Sequence, residues 1–175
     1  MPDAVQIAGK VNVYTQLINT VGNLFKLGET MDMTDVEERA FWHNVPGDRH
    51  GGPQGPPIEV QWLGAICVVR MELSRWDAAE IDKLRRREVN ATLGTILLAE
   101  VGTLMLATKG FRLCLNSATR PLNFPCAILR DAIPYGMGSK FTSVGLQFEC
   151  HRCQDGTARD GILHNTDVTE YTGGS

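Results

Sequence analysis

The chain has 175 residues, 43% of them hydrophobic and 21% charged, the composition of a globular domain long enough to bury one core without staples. A net charge of −3 argues against a nucleic-acid or anionic-membrane surface, and no apolar run approaches the roughly 18 residues of a spanning helix. The five cysteines are an odd number in mostly apolar contexts, which argues against a secreted disulfide scaffold and for free thiols in a reducing compartment.

The N-terminus, Met1-Pro2-Asp3-Ala4, shows no basic stretch followed by an apolar core, so a signal peptide is not expected and assembly in a cytoplasm is. The first third is strand-rich and punctuated by turn residues, with short strands predicted at 6–7, 11–14, 24–27 and 31–34, the pattern of a β meander or sandwich. Residues 38–45 read as a further strand, with Ala40 and Trp42 on one face and Phe41 and His43 on the other. A mobile loop is expected over 46–57, where His50-Gly51-Gly52-Pro53-Gln54-Gly55-Pro56-Pro57 concentrates glycine and proline.

That loop opens into a β-type run, residues 58–73, of sixteen positions, where an ordinary strand has about five or six. Side chains alternate along a strand, so the run divides by parity. Early on, Ile58, Val60 and Trp62 make the even face apolar, with Glu59 and Gln61 opposite. Later Cys67, Val69, Met71 and Leu73 make the odd face apolar, with Arg70 and Glu72 opposite. A two-residue period cannot reverse its own face, so a bulge or bend is expected near Gly64. The other reading is a middle section buried on both sides, as in the wall of a closed sheet.

One segment carries a helical signature. Residues 77–88 begin with Asp77, a capping type, with Glu80 three positions on, acids early and Arg85, Arg86 and Arg87 late, the polarity that suits the helix dipole. Ala78, Ile81 and Leu84 give a narrow stripe able to dock on a sheet. Beyond it, 103–108, Lys109-Gly110 and 111–116 read as a hairpin. Residues 121–130, with Pro121 and Pro125 and with Pro134 just beyond, read as an irregular edge. The run 141–150 is the cleanest strand, Val144, Leu146, Phe148 and Cys150 facing in, and 162–166 is a last short candidate. The tail, 167–175, reads as flexible. The whole is predicted to be a single, mainly β domain, a sandwich or barrel with one docked helix and a long extended hairpin.

Chemistry is sparse. Cys150-His151-Arg152-Cys153 is a metal-type knuckle supplying two of the four ligands zinc needs, but no second knuckle exists, and Cys114, Cys126, His43 or His50 would have to fold in. No metal or cofactor is therefore assigned, and Cys150 and Cys153 stand as the candidates for one. The glycines at 51–52 and at 136–138 precede strands rather than helices, so they lack the context of a phosphate loop. None of the four histidines sits in a nucleophile motif, and Glu37-Glu38 and Asp32/Asp35 read as solvated surface. The arginine run suits the dipole and solvent better than nucleic acid, with a salt bridge to Glu29, Asp35, Glu37 or Glu38 of a neighbouring subunit as a further reading. No active site is predicted.

The layout of 51–64 with 66–73, and of 119–126 with 140–150, resembles bacteriophage tail-tube (major tail) proteins. The resemblance implies a β-sandwich or barrel with one helix, assembling into hexameric rings whose strands line a DNA channel and which stack through a hairpin and mobile arms. It implies a non-enzymatic virion protein, made in the host cytoplasm, whose partners are itself and other tail proteins (terminator, baseplate, and a sheath where one surrounds the tube). DNA would be passing cargo, and no membrane is involved. On this reading the interface residues are Gly51, Gly52, Pro53, Gln54, Gly55, Pro56, Pro57, Ile58, Val60, Trp62, Arg85, Arg86 and Arg87. The proline-rich 121–134 stretch and the cysteines depart from that pattern and keep two alternatives: a tail-completion, neck or head-decoration protein, and a small metal-binding β-domain using Cys150 and Cys153.

Overall fold

A computed structural model describes residues 5–7, 9–17, 24–46, 57–84, 87–90, 95–98, 110–117, 121–130, 143–153 and 163–164. The chain forms β1 (Val5–Ile7), β2 (Asn12–Leu17), β3 (Phe25–Pro46), β4 (Pro57–Trp76), α1 (Ala78–Leu84), β5 (Arg87–Asn90), β6 (Thr95–Leu98), β7 (Phe111–Asn116), β8 (Leu122–Leu129) and β9 (Val144–Cys150). The described part is mainly β with one short helix, as the sequence predicts.

Six strands close into a ring. Neighbours run β3, β2, β7, β8, β9, β4, and β4 pairs back with β3, every pair antiparallel. This is a small barrel, and closure removes the sheet edges that would otherwise recruit other chains. β1 adds beside β3 through Val5↔Val36 to Ile7↔Thr34. β5 and β6 form a separate two-stranded ribbon.

The interior is filled as the alternation demands. Val13 of β2, Cys67, Val69, Met71 and Leu73 of β4, Phe111, Leu113 and Leu115 of β7, and Val144, Leu146, Phe148 and Cys150 of β9 are all buried in one cluster. Phe111 and Phe148 meet edge to face, 5.7 Å between centroids, the arrangement their quadrupoles favour. Val11 and Thr30 are tied twice: the Thr30 amide donates to the Val11 carbonyl, and the Val11 amide donates to Thr30 Oγ1, each at 2.9 Å. Both backbone groups of the fully buried Val11 are thereby satisfied.

Asp77 caps α1 as its residue type suggests. Its Oδ1 accepts from the Ala79 and Glu80 amides at 2.8 and 3.3 Å, and Ile81 and Leu84 join the core. The helix is shorter than the expected 77–88. It ends at Leu84, and Arg87 and Glu88 belong to β5, opposite Leu98 and Leu97. Beyond Leu84 the apolar stripe has only charged residues to offer, whereas Val89 opposes Ile96 across the ribbon.

Three other expectations change. The short strands predicted at 24–27, 31–34 and 38–45 are one 22-residue strand, β3. The polar break that divided them is a ladder irregularity: Thr30↔Leu73 is followed by Thr34↔Met71, so residues 31–33 oppose Glu72 alone. Both edges of β7 are used, by β2 and β8, and the 103–108 partner expected for it lies outside the described residues. β8 is no edge, since it pairs with β7 and β9 and every residue of it is buried. Pro125 is tolerated because it falls at a bulge: Leu113↔Phe124 gives way to Phe111↔Ala127, and the β9 ladder begins only at Ala127.

Candidate functional site

The feature that the barrel does not need is the outer half of the β3–β4 hairpin. β9 accompanies β4 only from Cys67 to Leu73, and β1 accompanies β3 only over Thr34 to Val36. From Arg39↔Ile66 to Pro46↔Pro57 the two strands pair with each other alone among the described residues. At about 3.3 Å per residue, the ten residues from Cys67 back to Pro57 make an arm roughly 30 Å long. An isolated two-stranded ribbon is marginal in water, and this one carries apolar surface outward. Trp42 is 61% exposed, Trp62 57%, Leu63 60%, Val60 52% and Phe41 47%.

The parity reversal predicted near Gly64 is a bulge. Phe41 opposes Gly64 and Trp42 opposes Trp62, leaving Leu63 as the extra residue. Gly64 has φ +123°, a conformation that L side chains rarely adopt. The bulge re-aims the strand. Inside the barrel this side of the ladder holds the buried pair Val36 with Val69, then Glu38 with buried Cys67 and Ala40 with half-buried Ala65, where the β3 residues are already exposed. Past the bulge the same side of the ladder continues as Trp42 with Trp62 and Asn44 with Val60. The face that is core inside the barrel thus becomes an aromatic face beyond it.

A groove of about 750 Å³ lies at the arm's root, lined among others by Phe41, Trp62, Leu63, Ile66, His151 and His164. His151 Nε2 stands 2.9 Å from Glu149 Oε1 but off the direction of a hydrogen bond, and Arg130 Nε pairs with Glu149 Oε2 at 3.0 Å. On the opposite side of the hairpin Glu37 is held twice, by Arg39 Nε at 2.9 Å and by Arg70 Nη1 at 2.9 Å. Those hydrogen bonds, from Arg39 first and Arg70 second, bring its carboxyl down to about 2. Glu29 is lowered by the Lys26 ammonium, 2.8 Å away. Both acids are therefore already paired to cations of their own chain.

Of the expected interface residues, Val60 and Trp62 sit on the arm and are exposed. Pro57 and Ile58 begin β4, and Pro57 pairs with Pro46. Gly51, Gly52, Pro53, Gln54, Gly55 and Pro56, with Arg85 and Arg86, lie outside the described residues, and Arg87 opens β5. The tail 167–175 lies outside them as well, as do 162 and 165–166 of the last strand candidate. Phe41, Trp42 and Leu63 were not singled out from sequence. The signal was present in Trp42 beside Phe41 at a loop's root, but only the pairing with β4 reveals that no other described strand flanks the ribbon.

Cys150 and Cys153 are both buried. Among the described residues they belong to no trio of converging His, Cys, Asp or Glu donors; the one such trio is Glu38, Cys67 and His164. Burial pushes the Cys67 thiol up to about 12, with Glu38 adding to it, and the Cys114 thiol up to about 11. Burial raises Cys150 too, helped by Cys67 and Cys126. These are inert thiols, unlike the depressed ones of nucleophiles. No helix among the described residues is long and apolar enough to cross a membrane. No family model matches the chain, and no curated protein matches it.

Proposed function

We propose that the protein is a non-enzymatic structural subunit of the phage tail-tube type, building stacked rings through its own copies. The observation that carries the reading is the pairing of a closed barrel with an exposed arm. The barrel leaves little to recruit a partner, whereas the arm offers open strand edges and Trp42, Trp62, Leu63, Val60 and Phe41 to solvent. Contiguous apolar surface of that kind marks a contact. A surface presented to a different surface of the next copy closes into rings or propagates as a filament.

The sequence resemblance adds the particular assembly: hexameric rings stacked around a DNA conduit, with other tail proteins at the ends. The net charge of −3 suits a conduit, because a basic wall would retain DNA by releasing its counterions. Deleting residues 51–57 is expected to leave a folded monomer that no longer forms tubes in electron micrographs. Normal polymerisation of that variant would remove the loop from the assembly mechanism.

A further inference from the structure

We propose that Glu38, Cys67 and His164 form a binding site for a dication of the zinc class that clamps the root of the arm to the chain following β9. Glu38 and Cys67 are cross-strand partners on β3 and β4, at the point where the barrel ends and the arm begins. His164 comes from far along the chain, with its ring 6.0 Å from that of Phe124. One ligand atom from each of the three lies within 4.8 Å of the other two.

The donor set points to the metal. A thiolate, an imidazole and a carboxylate are the ligands that zinc accepts, whereas calcium and magnesium take oxygen ligands. Tetrahedral zinc sets its donors about 3.5 Å apart. The closure needed is about an ångström, and Glu38 and His164 are exposed side chains free to make it. The fourth position would open to the arm-root groove, which Glu38 and His164 line, and water would fill it.

Glu38 also differs from its neighbours. Glu37, Glu29 and Glu149 are each paired to a cation. No hydrogen bond or ion pair holds Glu38 among the described residues, and it faces the thiol of Cys67 instead. A carboxylate beside a buried thiol opposes ionisation, so metal entry would release the thiol proton to solvent and leave a thiolate–metal bond. The residues lie at 38, 67 and 164, so their spacing follows no sequence signature. This inference does not depend on ring assembly, because it is read on the isolated chain.

Titrating Co²⁺, then Zn²⁺, into the full-length protein tests it. The expected result is one equivalent of Co²⁺ bound with a thiolate-to-metal charge-transfer band, displaced by Zn²⁺. His164→Ala and Cys67→Ser should each weaken binding by more than the roughly 10–100-fold that losing a supporting group costs. Cys114→Ser and Cys153→Ser should leave it unchanged. Absence of the band, or a band that survives Cys67→Ser, overturns the proposal. If Cys67→Ser fails to fold, His164→Ala decides alone, since His164 is exposed: unchanged affinity there refutes the site.

Discussion

Replacing Trp42 and Trp62 together by serine separates folding from assembly. The two are direct cross-strand partners on the arm, 61% and 57% exposed. With about 250 Å² per tryptophan side chain, they offer roughly 300 Å² of aromatic surface. At about 25 cal/mol per Å², covering all of it is worth roughly 7 kcal/mol of gross burial. If assembly covers half, about 3.5 kcal/mol is lost in the variant, a shift of several hundredfold in the association constant. Within the monomer the pair contributes only about 0.2–1 kcal/mol. Sedimentation velocity over a concentration series, beside thermal melts by circular dichroism, reads both quantities. The expected outcome is a near-unchanged melt and a critical concentration raised by two orders of magnitude or more. A variant that assembles at the wild-type concentration refutes the reasoning, and so does one that loses its fold, because these side chains would then be core.

Gly28→Ala should destabilise by roughly 1–3 kcal/mol, because the added Cβ falls on the Arg75 carbonyl, backbone that cannot swing away. Gly145→Ala meets nothing within 4 Å and should stay within about 0.5 kcal/mol of wild type; denaturant titration compares the two. Gly64→Val forces a β-branched residue into φ +123° at a cost of roughly 1–3 kcal/mol, and limited proteolysis should cut the arm faster. Glu37 contributes stability that is complete above its unfolded value near 4.5 and is lost as pH falls toward 2, so Glu37→Gln should flatten the acid limb of a pH–melting curve. Cys67 and Cys114, raised to about 12 and 11, should resist alkylation in the native state, and stability should fall as pH rises above about 9, where unfolded thiols ionise.

Local physics made part of this structure legible in the sequence. The long strand β4, its bulge at Gly64 and the inward face of β9 all follow from a two-residue period and the one glycine that breaks it. The Asp77 cap follows from side-chain chemistry at a helix start. What escaped were features decided by distant partners. β3 looked like three strands because residues 31–33 leave the ladder, and only Thr34↔Met71 shows that the strand resumes. β8 looked like an edge because of Pro125 and the prolines flanking it, and only the bulge opposite Arg112 explains how Pro125 fits a strand that pairs on both sides. The meeting of Glu38, Cys67 and His164 is of the same kind, three donors joined by topology and by no motif.

Negative-stain microscopy of the purified protein across a concentration range tests the central claim most directly. Rings that stack into tubes as concentration rises are predicted, with the arm bridging copies. A single-copy particle at every concentration, its arm folded back over its own barrel, would contradict the account.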